Sequence, residues 1–261
     1  MKIPVYQVDA FTAKLFSGNP AAVCLLENWL DDATLQAIAA ENNLSETAFL
    51  VRKGPIVELR WFTPRIEVAL CGHATLAAAY VLFVCKDWRE DSIRFVTRRS
   101  GDLIVTRKND FLEMDFPARP PRAEKVPPGL AAALGVKPAG IFHSEEDRLV
   151  LLASEKAVRD VVPDFTALEK IPCRGVIVTA SGEHSDFVSR FFAPLVGVPE
   201  DPVTGSAHSV LIPFWSDKLR KKDLHALQVS VRGGELFCRH LGDRVKIAGR
   251  AILYLEGTIT I

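Results

Sequence analysis

The sequence lacks the patterns that mark a metal site or a redox pair. Its five cysteines, Cys24, Cys71, Cys85, Cys173 and Cys238, form no CxxC pair and leave one over. Reduced thiols in a cytoplasmic protein are the expectation. The six histidines show no HExxH or comparable ligand spacing, which argues against a metal. Charge of one sign is also missing: 32 basic residues balance 32 acidic ones, so no basic field is offered to nucleic acid. The longest cationic run, Lys218 to Lys222, is interrupted and reads as a solvated helix end. No apolar stretch reaches the roughly 20 residues of a membrane-spanning helix. The first residues, Met1-Lys2-Ile3-Pro4-Val5, start on a strand-like alternation rather than a signal peptide. What is left, at 48% hydrophobic and 25% charged, is a soluble globular chain with a real core.

What the sequence does contain is a copy of itself. Arg60-Trp61-Phe62-Thr63-Pro64, with Val68 and Cys71 following, returns 130 positions later as Arg190-Phe191-Phe192-Ala193-Pro194, Val198 and Asp201. Beyond that the offset is 133: Gly72 falls on Gly205, Ala74 on Ala207, Arg99 on Arg232, and Gly101-Asp102-Leu103 on Gly234-Glu235-Leu236. One three-residue insertion near Pro202 to Thr204 reconciles the registers. Shared turn chemistry alone would not hold a register over about fifty residues, so a duplication is inferred.

Each half then follows one plan. Alternation predicts strands at Ile3–Asp9, Ala22–Leu26, Thr47–Val51 and Val57–Phe62. A helix is expected from Asp32 to about Glu41, capped by Asp31. Gly72 opens a second helix, His73–Val84, apolar almost all round and therefore expected in the centre of its domain. A meander follows over Ile93–Thr97, Leu103–Arg107 and Leu112–Phe116. Five prolines between Pro117 and Pro128 mark the boundary between halves. The second half supplies its own apolar helix, Ser206–Trp215, and its own meander from Leu227 to Leu255. The expectation is an α+β protein of two similar domains, 1–118 and 119–261, each a curved mixed sheet around one buried helix. The last strand is free to cross into the first domain.

Related halves pack about a pseudo-twofold axis, and matching segments then face each other across a cleft. The segments to match are Leu70-Cys71-Gly72-His73-Ala74-Thr75 and Glu200-Asp201-Pro202-Val203-Thr204-Gly205-Ser206-Ala207. Both run into the first turn of an apolar helix, where free backbone N–H groups suit a carboxylate. Glycine at 72 and 205 allows close backbone approach to a ligand.

Four segments, Gly18-Asn19-Pro20-Ala21-Ala22-Val23, Asn43-Leu44-Ser45-Glu46-Thr47-Ala48-Phe49, Cys71-Gly72-His73-Ala74-Thr75 and Glu200 to Ala207, resemble the hallmark segments of the phenazine-biosynthesis PhzF-like family. They keep the family's order and spacing, and with the flanking strands they cover essentially the whole chain. Gly205-Ser206-Ala207-His208 and Arg232-Gly233-Gly234-Glu235 are similar to the subgroup that includes the animal phenazine-biosynthesis-like domain proteins. The resemblance implies the diaminopimelate-epimerase fold, a homodimer, and an isomerase without metal or organic cofactor. It implies that Glu46 moves a proton on a small carboxylic acid in the interdomain cleft. His73 and Asp201 match the other polar residues around the substrate, Ser45 and Ser206 bind it, and Gly72 and Gly205 supply backbone contacts.

Other readings of these residues stay open. A base working near neutral pH needs a pKa lifted above about 4.3, which apolar neighbours such as Leu44, Ala48 and Phe49 could bring about. Cys71 is the rival, because two-base epimerases of this fold use one cysteine from each half. Its counterpart is read as Pro202 beside Asp201, which disfavours that chemistry. A Cys71/His73 nucleophile pair is weaker still, since neighbours two apart at a helix start seldom face each other. At an offset of 130 the counterpart of Glu46 is Val176, so a carboxylate is expected on one side only. A non-catalytic protein that kept the site for binding is the third reading.

Overall fold

The computed structural model describes residues 1–261. In chain order its elements are β1 (Lys2–Ala10), β2 (Asn19–Leu26), α1 (Asp32–Asn42), β3 (Glu46–Lys53), β4 (Ile56–Phe62), β5 (Glu67–Val68), α2 (Gly72–Tyr80), β6 (Ser92–Thr97), β7 (Asp102–Lys108) and β8 (Phe111–Pro117). The chain continues through β9 (Arg122–Ala123), α3 (Leu130–Leu134), β10 (Gly140–His143), β11 (Asp147–Leu151), α4 (Glu155–Arg159), α5 (Phe165–Leu168), β12 (Gly175–Ser181) and β13 (Phe187–Ala193). It ends with β14 (Val198–Asp201), α6 (Gly205–Leu219), β15 (Asp223–Gln228), β16 (Gly234–Leu241), β17 (Arg244–Gly249) and β18 (Ala251–Thr260). Two compact units result, one of Met1–Asp115 with Ala248–Ile261, the other of Phe116–Ile247.

In the first unit β1 pairs antiparallel with both β2 and β18. β2 runs parallel to β3, β3 antiparallel to β4, and β4 parallel to β6, which turns back into β7. α1 starts where Asp31 accepts a hydrogen bond from the Thr34 N–H at 2.9 Å, satisfying one of the open donors of its first turn. It ends at Asn43, which takes a left-handed φ of 48°. Its inner face, Leu35, Ile38 and Ala39, packs with Ile3, Cys24, Phe49 and Phe62. α2 lies against β1, β2, β3 and β18 with every residue from His73 to Ala79 buried. The expected helix to Val84 instead changes at Tyr80 into a π turn, Val81–Cys85.

The second unit repeats the pairings. β10 is antiparallel to β11, β11 parallel to β12, β12 antiparallel to β13, and β13 parallel to β15, which turns back into β16. α6 lies against β15 and β16. Trp215 anchors it by stacking on Phe187 at 5.7 Å and donating its ring N–H to Thr179 Oγ1 at 3.0 Å. Pro213 sits inside this helix and cannot donate to the Ser209 carbonyl. The Arg119 backbone N–H takes that carbonyl at 2.9 Å, so the helix continues four residues past the expected end at Trp215.

The duplication extends to the arginines that first revealed it. Arg60 holds Glu67 with two hydrogen bonds, at 2.7 and 2.9 Å, and lies over Phe62. Arg190 holds Glu200 in the same way, at 2.7 and 3.0 Å, and lies over Phe192.

The sheet register corrects two of the sequence pairings. Thr47 stands opposite Phe62, and Val176 stands opposite Phe192, the repeat partner of Phe62. The counterpart of Thr47 is therefore Val176, and that of Glu46 is Gly175. Cys71 is the residue before α2 and Thr204 the residue before α6, so Cys71 matches Thr204 rather than Pro202. Offsets counted on one strand do not carry to its neighbour when the connecting loops differ in length.

Candidate active site

In the first unit three strand and helix starts converge. Glu46 opens β3, with Ser45 half-buried just before it. Asn19 opens β2 two residues before Ala21, the parallel neighbour of Glu46. Gly18 makes that position possible. Its φ is +68°, and a side-chain carbon there would meet the Ala10 carbonyl oxygen at 2.2 Å. His73 is the second residue of α2, directly after Gly72.

The His73 ring links these groups. Its Nδ1 lies 3.2 Å from Asn19 Nδ2 and 3.5 Å from Cys71 Sγ. Its Nε2 lies 3.2 Å from Glu46 Oε2. The Asn19 amide donates to Nδ1, which therefore accepts, so the ring proton sits on Nε2 and faces the Glu46 carboxylate. That approach is close but not aligned as a hydrogen bond, and Nε2 has no other partner. Catalytic hydrogen bonds are often loose without substrate and tighten with it. Burial pushes the His73 pKa down to about 3, so the ring is neutral at physiological pH. The Glu46 side chain keeps 17% of its surface exposed, although Oε2, the oxygen nearest His73, is itself buried.

Cys71 and His73 do meet, contrary to the spacing rule for helices. Cys71 precedes the helix in an extended conformation, φ −142° and ψ 108°, so its side chain is not placed by helical geometry. Glu46, Cys71 and His73 each offer a donor atom within 4.8 Å of the others, a mixed set of the kind Zn²⁺ accepts. His73, however, turns Nε2 to Glu46 and Nδ1 to Cys71, so no single ring atom faces both neighbours. Cys24 is a plain core thiol, with burial pushing its pKa up to about 12.

The second unit builds its counterpart around the start of α6. Asp201 closes β14, opposite Phe191 on β13, and accepts a hydrogen bond from Thr204 Oγ1 at 2.6 Å. Gln228 is 1% exposed and pins this loop. It donates to the Asp201 carbonyl at 2.8 Å and to Thr204 Oγ1 at 3.1 Å, and accepts from the Thr204 N–H at 2.8 Å. Gly205 is the buried first residue of α6, and Ser206, the match of His73, is the second. Ser206 Oγ accepts from both terminal nitrogens of Arg174, each at 3.2 Å. His208 is a core residue: its Nδ1–H donates to the Thr204 carbonyl at 2.8 Å, and burial pushes its pKa down to about 4.

The sequence named Glu46, His73, Asp201, Ser45, Gly72, Gly205 and Ser206. The structure brings Glu46 and His73 together in the first unit and places Asp201 and Ser206 around one helix start in the second. Asn19, Arg174, Asp147 and Gln228 were not singled out. Asn19 stood inside a quoted motif; the other three carried no pattern that a single sequence exposes.

An α+β arrangement of two units with matching strand pairings is the epimerase-like fold. The same fold occurs in a hydroxyproline epimerase from Agrobacterium vitis, with a TM-score of 0.62 at 11% identity over 99% of this chain and 92% of that one. Residues 8–257 match the PhzC-PhzF model, described as phenazine biosynthesis-like protein, and the chain belongs to that family. It is 54% identical to an uncharacterized isomerase of Pseudomonas aeruginosa, covering 100% of both chains. It is 44% identical to phenazine biosynthesis-like domain-containing protein 1 of Mus musculus, again covering 100% of both. A crystal structure of a PhzF-family phenazine biosynthesis protein from Enterococcus faecalis superposes with a TM-score of 0.97, at 47% identity and 100% coverage of both chains. The chain is an isomerase of this family. No helix is long and apolar enough to cross a membrane.

Proposed function

We propose that the protein isomerises a small unsaturated or amino-substituted carboxylic acid by proton transfer, with Glu46 as acid and base. The observation that carries this reading is the neutral His73 ring, which Asn19 holds by Nδ1 and which stands with Nε2 3.2 Å from Glu46. A carboxylate beside a neutral imidazole can take a proton from carbon and return it, while the imidazole N–H steadies the charge that develops. Asp201 and Ser206 orient the substrate, with Ser45 and the backbone at Gly72 and Gly205 contributing. The protein acts as a homodimer in the cytoplasm, without metal or organic cofactor.

Cys71 supports a second reading, a two-base epimerase, because its thiol lies 3.5 Å from His73 Nδ1. Against it stands Thr204, which occupies the matching place in the other unit and has no acidic thiol. The test is metabolite pull-down on the purified protein, followed by incubation of the retained acids in D2O. Deuterium should enter at a carbon of the substrate with the wild type and be lost in Glu46→Gln while folding is kept. Exchange that survives Glu46→Gln and disappears in Cys71→Ala would establish the second reading. No exchange at all would favour a binding protein.

A further inference from the structure

Arg174 has no role in the reading above, yet its side chain is held by Asp147, Phe191 and Ser206. It directly precedes Gly175, and Asp147 is the parallel neighbour of Gly175 on β11. Asp147 is 3% exposed and takes Arg174 with both oxygens, from Nε at 2.9 Å and from Nη2. Burial raises the pKa of Asp147, and the guanidinium beside it works in the opposite direction. The guanidinium lies over the Phe191 ring at 5.5 Å, and that ring also fills the space where Gly175 would carry a side chain, at 2.2 Å. So fixed, Arg174 directs Nη1 and Nη2 at Ser206 Oγ, both at 3.2 Å.

The consequence is a matter of hydrogen-bond inventory. A guanidinium only donates, so the serine oxygen can only accept from it. With its lone pairs facing a cation, the hydroxyl must turn its one proton the other way. The neighbouring positive charge also makes that O–H a stronger donor. We propose that Arg174, locked by Asp147, is a positioning residue that makes Ser206 an obligate hydrogen-bond donor to the carboxylate of the substrate. The inference rests on the proposed isomerisation of a small acid.

The duplication gives independent support. Ser206 and His73 occupy the same second place of their helices, and each is contacted from the start of the matching strand: His73 by Glu46, Ser206 by the residue before Gly175. One unit therefore sets a carboxylate against that place, and the other sets a cation.

The test uses the full chain with anthranilate as a carboxylate probe and aniline as the same ring without it, both titrated by NMR. Wild type should bind anthranilate at least tenfold more tightly than aniline. Arg174→Lys keeps the charge but cannot hold Asp147 with a planar fork and reach Ser206 as well. It should lose about tenfold for anthranilate and leave aniline unchanged. Ser206→Ala should show the same loss, and the double variant should lose no more than either single one. Asp147→Asn, which loosens the fork with little change of shape, should give a smaller loss in the same direction; it stands in if Arg174→Lys does not fold. A preference for anthranilate that survives Arg174→Lys, or losses that add in the double variant, would overturn the inference while leaving the isomerase reading intact. A wild type without any preference for anthranilate would overturn both.

Discussion

Two buried imidazoles make the stability of this protein depend on pH in a window where carboxylates do not. His73 and His208 have folded-state pKa values of about 3 and about 4, against 6.5 for an ordinary histidine. On unfolding, both would take up a proton at any pH between those limits. The native state binds fewer protons than the unfolded one, so stability is complete above pH 6.5 and falls as pH drops below it. At pH 5 each histidine costs about 2 kcal/mol relative to pH 8, and the pair about 4 kcal/mol. That is a large share of a typical stability of about 5–15 kcal/mol. Ordinary carboxylates titrate near 4 and add little above pH 5, while the buried Asp147, whose pKa is raised, works in the opposite direction to the histidines. Urea unfolding at pH 8, 6.5, 5.5 and 5 measures the slope directly. His73→Gln and His208→Gln should each recover about half of the loss between pH 8 and pH 5, whatever they do to stability at pH 8. An unchanged slope in His73→Gln would refute the reasoning. The ring would then be protonated in the native state and held by the Glu46 carboxylate, and a neutral donor beside the base would be the wrong picture.

Other substitutions test the supports of each half-site. Asn19→Ala removes the donor to His73 Nδ1. It should cost about 1–3 kcal/mol in urea unfolding, and proton exchange should slow more than the stability loss explains. Gly175→Ala forces a methyl group into the Phe191 ring. The expected loss is about 1–3 kcal/mol by thermal unfolding, relieved when Phe191→Leu is added. Gln228→Leu deletes three hydrogen bonds to the Asp201–Thr204 loop. Amide hydrogen exchange at Thr204 should then accelerate at least tenfold, with a stability loss of about 2–4 kcal/mol.

The elements that sequence reading located are those with long periodic patterns or strong stop signals. Asp31 caps α1 as its spacing suggested, and glycine opens both apolar helices. Residues 119–174 stayed opaque because their helices have four or five residues and their strands two to five, shorter than any window in which periodicity shows. α6 runs four residues past the apolar stretch Ser206–Trp215, and these were not legible because Ser216, Asp217 and Lys218 in its last turn carry no apolar signal. In the site, Glu46 and His73 were legible because motifs surround them. Arg174 and Asp147 were not, because their pairing depends on β11 and β12 lying side by side in parallel. The Cys71–His73 contact was missed for a related reason. Cys71 stands before the helix in extended backbone, where helical spacing does not place its side chain.

The register correction changes what the duplication means for chemistry. With Val176 as the repeat counterpart of Glu46, the second unit would merely have lost its carboxylate by substitution. With Gly175 there, even a methyl group has to push the Phe191 ring aside. Phe191 in turn carries the Arg174 guanidinium. The residue that fills the place of a second carboxylate is thus also part of what fixes the cation on Ser206. Restoring a carboxylate by Gly175→Glu would have to displace Phe191 and with it the support of Arg174. A symmetric two-carboxylate site is therefore not one substitution away from this sequence. The packing of the second unit sets the Arg174 cation against the start of α6, where the first unit sets the Glu46 carboxylate against the start of α2.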